Sequence, residues 1–138
     1  MPANRNRRVS RYRMLAHLAC VAIVAGILQT AAMAGEVTIV DATAQRQSGN
    51  TWRFSVTLKH ADTGWEHYAD RWDVVSVDGK VLGTRTLHHP HVEEQPFTRS
   101  LGGVKVPAGT TEVLIRARDS KHGFSDKTFK LTLPAPKS

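Results

Sequence analysis

Six of the seven histidines, His60, His67, His88, His89, His91 and His122, lie between residues 60 and 122 among acidic residues. Imidazole nitrogens and carboxylate oxygens are the donor set of Zn(II) and Cu(II). His89-Pro90-His91 puts two imidazoles two residues apart, on the same side of an extended segment, and Pro90 stiffens that spacing. The candidate metal ligands are therefore His60, His67, His89, His91 and His122, with Glu93 or Asp119 as oxygen donors. The only cysteine is Cys20 and the last methionine is Met33. Beyond residue 34 no soft sulfur ligand exists, so Cu(II), Zn(II) or Ni(II) is expected rather than Cu(I) or a blue-copper centre. No high-specificity metal spacing occurs, and His88-His89-Pro90-His91 also describes a solvated loop. A structural pair in which His60 is hydrogen-bonded to Asp119 is the competing reading.

A second set of residues points to contact with a partner. Gly64-Trp65-Glu66-His67-Tyr68 carries two large rings within a polar stretch. Exposed Trp and Tyr anchor protein interfaces and also stack on sugars, so Trp65, Tyr68 and His88 are candidate contacts for a protein or glycan. The alternative is that the rings cap a core beneath a long loop. Catalysis is not expected, because there is no serine elbow, cysteine nucleophile or Gly-rich phosphate loop. The one enzymatic alternative is a metal-dependent hydrolase, whose three ligands and open position would look the same in sequence.

The formal charge of +7 belongs largely to the N-terminus. Arg5, Arg7, Arg8, Arg11 and Arg13 precede an apolar run, Leu18 to Leu28, and no acid accompanies them. Without these five, residues 35–138 carry 14 basic against 12 acidic side chains, a net +2. That balance lacks the electrostatic footprint of a nucleic-acid binder. A basic start, an apolar core and a small-residue site, Ala32-Met33-Ala34, form a cleavable secretory signal over residues 1–34, with cleavage before Gly35. Periplasmic or secreted localisation is expected, with no stable membrane anchor after cleavage. A retained signal anchor is the rival. Cys20 is a poor lipidation site, since most of the apolar run follows it.

Residues 35–138 must present these groups on strands and loops. Trp52, Phe54, Val56 and Leu58 alternate with Arg53, Ser55, Thr57 and Lys59, a period of two that buries one face and wets the other. Similar segments run over about 37–42, 72–77, 81–87, 96–101, 113–117 and 129–133. Asp78-Gly79 marks a two-residue hairpin, and 102–110 is a turn-rich connection. Seven strands in about 100 residues predict two packed sheets. The pattern resembles immunoglobulin-like and fibronectin type III-like sandwiches, with Trp72 early in the third strand where such domains often bury a tryptophan. That resemblance implies an all-β, antiparallel domain and no particular chemistry.

If consecutive strands alternate in direction, loops 61–71, 88–95 and 119–127 share one end. All six histidines fall there, and His60 and Asp119 each end an inward-facing row. Arg71 and Arg99 are expected to bridge acids on neighbouring loops.

Overall fold

A computed structural model describes residues 35–136. The leader expectation falls on residues 1–34, outside the described residues. The described chain is all-β, with eight strands: β1 Thr38–Arg46, β2 Thr51–Lys59, β3 Ala69–Val75, β4 Val81–Thr86, β5 Phe97–Lys105, β6 Glu112–Asp119, β7 Gly123–Phe124 and β8 Phe129–Thr132. One sheet has the order β1-β2-β5; the other has β4-β3-β6, with β7 and β8 both pairing with β6. Every pairing between named strands is antiparallel.

The two sheets close over a core that the alternation in β2 and β6 specifies. Phe54, Val56 and Leu58 of β2 meet Trp72 and Val74 of β3 and Val113, Ile115 and Ala117 of β6, all at 0% exposure. Burying a side chain of the Val, Leu, Ile or Phe type contributes roughly 1.5–3 kcal/mol. With no cysteine beyond Cys20, this packing must stabilise the domain without a disulfide.

Four local expectations need correction. The hairpin after β3 is longer than Asp78-Gly79: the Gly79 amide donates to the Ser76 carbonyl at 2.9 Å and the Ser76 amide to that of Lys80 at 2.8 Å. The third strand begins at Ala69 and ends at Val75 rather than spanning 72–77. The fifth strand continues to Lys105 through a segment expected to be a turn. Its register against β2 shifts between Trp52 and Phe54, and Gly103 takes a φ of +67°, so the strand absorbs the glycine pair as a bulge. Finally, β7 lies inside the expected loop 119–127 and pairs with Arg118 and Asp119.

The outward face of the second sheet holds a buried acid. Asp73 is fully buried and receives Arg71 at 2.8 Å, Arg116 at 2.8 Å and the Thr84 hydroxyl at 2.9 Å. Arg71 thus pairs within its own strand instead of bridging loops. The guanidinium carbons of Arg116, Arg71 and Arg118 lie 4.0, 5.3 and 5.8 Å from the centre of the Phe124 ring, which holds β7 against the sheet.

Candidate metal centre

The end of the sandwich at which β2 and β6 finish collects the histidines. His60 follows β2 and continues its inward row; its side chain is 0% exposed. Asp119 closes the inward row of β6 and its side chain is 1% exposed. His67 is brought to them by a tight turn in the loop after β2. The Thr63 amide donates to the His67 carbonyl at 2.9 Å, and the His67 amide to the Gly64 carbonyl at 3.2 Å. The following residue is tied to the β6–β7 turn, where the Ser120 amide donates to the Tyr68 carbonyl at 2.9 Å. One donor atom each from His60, His67 and Asp119 lies within 4.8 Å of the others.

Each of the three is held by a different local device. His60 Nδ1 lies 2.6 Å from Asp62 Oδ1, so the carboxylate accepts the Nδ1 proton and leaves the Nε2 lone pair free. That Nε2 is buried and has no hydrogen-bond partner. The His60 and His67 rings meet edge to face, with centroids 4.8 Å apart. His67 Nε2 is 3.2 Å from Asp119 Oδ1. This oxygen also accepts the amides of Lys121 at 2.8 Å and His122 at 2.7 Å. Burial pushes the Asp119 carboxyl up, but the two amides, with His122 and His67 nearby, outweigh it and hold the acid below its ordinary value.

His122 stands beside this group. Its Nδ1 is 3.2 Å from Asp119 Oδ1, its side chain is 51% exposed, and its ring lies edge-on to His67 at 4.9 Å. Gly123, at φ +83°, supplies the left-handed residue that turns the chain from His122 into β7.

Asp62 joins the site to the loop before β5. Its Oδ1 also accepts the Ala69 amide at 3.0 Å, and its Oδ2 accepts the His91 amide at 2.7 Å. The partner of His60 is therefore Asp62, not the Asp119 of the structural-pair expectation. Gln95 adds a second tie, accepting from the His60 amide at 3.0 Å and donating to the His91 carbonyl at 2.9 Å.

The other candidates lie around this group rather than in it. His89 and His91 form their own pair, with ring centroids 4.6 Å apart, and His91 stacks on Phe97 at 3.8 Å. His91 Nε2 faces Arg99 Nη2 at 2.9 Å. The guanidinium can only donate, so this nitrogen accepts and the ring is neutral. Burial, then the charges of Arg99 and His89, lower the His91 pKa from its ordinary 6.5. Arg99 also pairs with Glu94 at 3.1 Å, as a bridge within its own loop and strand. Glu93 and His88 are exposed. Trp65 is 66% exposed and meets Tyr68 edge to face at 5.7 Å, so it does not cap the core.

Asp62 is not among the acids that the sequence reading singled out. The signal was the spacing His60-Ala61-Asp62, an acid two residues after an inward-facing histidine. Arg99 as the partner of His91 had no comparable signal, because the loop path decides it.

No protein-family model matches the chain, and no solved structure matches it significantly. A protein of Halomicrobium mukohataei named "Putative lipoprotein" is 46% identical over 94 residues, covering 68% of this chain and 46% of its own length. The chain thus spans about half the length of that curated relative.

Proposed function

We propose that this chain is an exported β-sandwich domain that binds one divalent transition metal ion, Zn(II) or Cu(II), through His60, His67 and Asp119. The observation that carries the reading is a charge argument. Asp62 and Asp119 are both buried, and among the described residues their only ion-pair partners are histidines. Asp73, equally buried, takes two arginines. Buried carboxylates need compensation, and a divalent cation matches two of them. The buried, unpartnered Nε2 of His60 supplies a lone pair beside them, the buried His67 Nε2 faces Asp119 at 3.2 Å, and the Asp62–His60 contact is the carboxylate–imidazole arrangement that orients metal ligands. Export is supported by the composition of the leader and by the lipoprotein name of the Halomicrobium relative. The immunoglobulin-like or fibronectin type III-like assignment is supported by the 1-2-5 and 4-3-6-8 strand orders and by Trp72 buried on the third strand.

The test is calorimetric titration of tag-free protein with Zn(II) and Cu(II), with thermal unfolding alongside. A ligand that binds only the native state stabilises it by roughly 2.7 kcal/mol at a hundredfold excess over Kd. Stoichiometric binding lost in His60→Ala and His67→Ala is expected. Absent or multi-site weak binding would refute the proposal.

A second reading has its own observation, the exposed Trp65 with Tyr68 beside it. A protein- or glycan-binding module using Trp65, Tyr68 and His88 would lose capture in Trp65→Ala and ignore chelators.

A further inference from the structure

We infer that His122 is the fourth donor of this site and that the bound ion is fully enclosed by protein ligands, as a held ion rather than a catalytic one. The inference rests on the metal reading above and goes beyond it by fixing the coordination number. Three features lead to it.

The first is position. Among the described residues, His122 is the one histidine outside the three-donor group whose ring lies against a member of it, 4.9 Å from His67 between centroids. Its Nδ1 lies 3.2 Å from the Asp119 oxygen that faces His67. The second is freedom. His60 and His67 are buried and fixed, whereas the His122 side chain is half exposed, so it can change rotamer without disturbing the core. Its backbone does not share that freedom. The amides of Lys121 and His122 are both anchored on Asp119 Oδ1, and Phe124 two residues on is clasped by Arg116 and Arg71. A short side-chain rotation on a fixed turn is how a late-arriving ligand closes over an ion.

The third is charge. Two imidazoles and one carboxylate leave one position open in a tetrahedral set. An anionic fourth ligand would add a third negative charge beside Asp119 and Asp62. A neutral imidazole fills the position without altering the balance of two carboxylates against one divalent ion. His91 cannot take this role while Arg99 holds its Nε2 at 2.9 Å.

The experiment uses Co(II), whose visible spectrum distinguishes four-coordinate from five- or six-coordinate centres, on the full chain without a histidine tag. The wild type is expected to give the intense four-coordinate bands at one-to-one stoichiometry. His122→Ala should fold normally, by far-UV circular dichroism, yet show weak bands of higher coordination number. Its Zn(II) affinity should fall by at least the roughly 10–100-fold that loss of an outer partner costs. Free imidazole added to the Co(II)-loaded variant should restore the wild-type bands, which no structural role of His122 would produce. His122→Gln serves as a second variant and should behave as His122→Ala does. Wild-type Co(II) bands together with wild-type Zn(II) affinity in either variant would overturn the inference and leave the metal reading standing. A wild type that fails to bind Co(II) and Zn(II) at one-to-one stoichiometry would overturn both.

Discussion

Replacing Asp62 by Asn separates the two things this carboxylate does. In the wild type it accepts three hydrogen bonds, from His60 Nδ1, the Ala69 amide and the His91 amide. An Asn oxygen in the Oδ1 position can still accept from His60 and Ala69. Its amide nitrogen then faces the His91 N–H, donor against donor, and that buried amide goes unpaired. Leaving one buried donor unsatisfied costs about 1–3 kcal/mol, and this is the expected loss of apo-protein stability. Metal affinity should fall independently, because the neutral amide withdraws the negative charge that raises the basicity of His60. The expected loss is about 10–100-fold, or roughly 1.4–2.8 kcal/mol. Urea unfolding in the presence of chelator measures the first quantity, and competition with a chromophoric Zn(II) chelator measures the second. Asn also keeps the Nδ1–H tautomer of His60, visible in the 15N shifts of the imidazole, whereas Asp62→Ala should release it. Wild-type metal affinity in Asp62→Asn would refute the argument that Asp62 orients and activates a ligand, whatever happened to stability.

Three further outcomes follow from the same contacts. Asp73→Asn should destabilise the domain by about 3 kcal/mol, as breaking a buried pair does, with the partial exposure of Arg71 and Arg116 moderating the loss. Burial raises the Asp73 carboxyl, but Arg71, Thr84 and Arg116 hold it below its ordinary value of 3.8. Its contribution is therefore complete above pH 3.8 and disappears as pH falls through the folded value, so acid unfolding of wild type and variant should converge there. His91 is neutral in the fold with its pKa lowered from 6.5; below that pH the unfolded chain takes up a proton that the native state refuses. Stability of the metal-free protein should fall as pH drops from 6.5, and the wild-type minus His91→Gln difference in unfolding midpoint should shrink over that window. Trp65→Ala, at an exposed loop tip, should change the unfolding free energy by no more than about 0.5 kcal/mol and leave Zn(II) affinity untouched; a larger loss would mean that the ring packs against the domain in solution.

The legible parts of this molecule are those governed by period two. Trp52 to Leu58 and Val113 to Ala117 announce their buried faces, and extending each row by one step reaches His60 and Asp119. Alternating direction then suffices to gather His67 and His122 at the same end. The illegible parts are those where local signals compete with register. Gly102-Gly103 reads as a stop, yet the pairing of β5 with β2 carries the strand through it as a bulge. Asp78-Gly79 reads as a two-residue turn, yet the Ser76 hydroxyl and backbone bond to Lys80 and set a wider one. The His89-Pro90-His91 spacing suggested two ligands side by side, but spacing carries no information about Arg99, which reaches back from β5 and occupies one ring. Asp62 shows the opposite case, a short spacing whose meaning depended on knowing which way His60 points.

The contrast between the two ways this domain buries acid bears directly on what its histidines do. Asp73 is neutralised by permanent charges, Arg71 and Arg116, whose guanidinium groups stay protonated at any relevant pH. Such a pair is complete in itself and fixes three strands of one sheet. Asp62 and Asp119 are given only imidazoles and backbone amides. A network meant solely to tie loops together would direct donors at those carboxylates and leave no acceptor facing another. Here both carboxylates do receive such donors, but the second nitrogen of His60 is buried without a partner in the cluster that His60 forms with His67 and Asp119. A buried imidazole nitrogen without a partner, beside a buried carboxylate with no permanent cation, lacks the compensation that makes buried polar groups tolerable. A cation in that cluster would turn each of these costs into an attraction, which is why the same contacts that look unfinished as a hydrogen-bond network look complete as a coordination sphere.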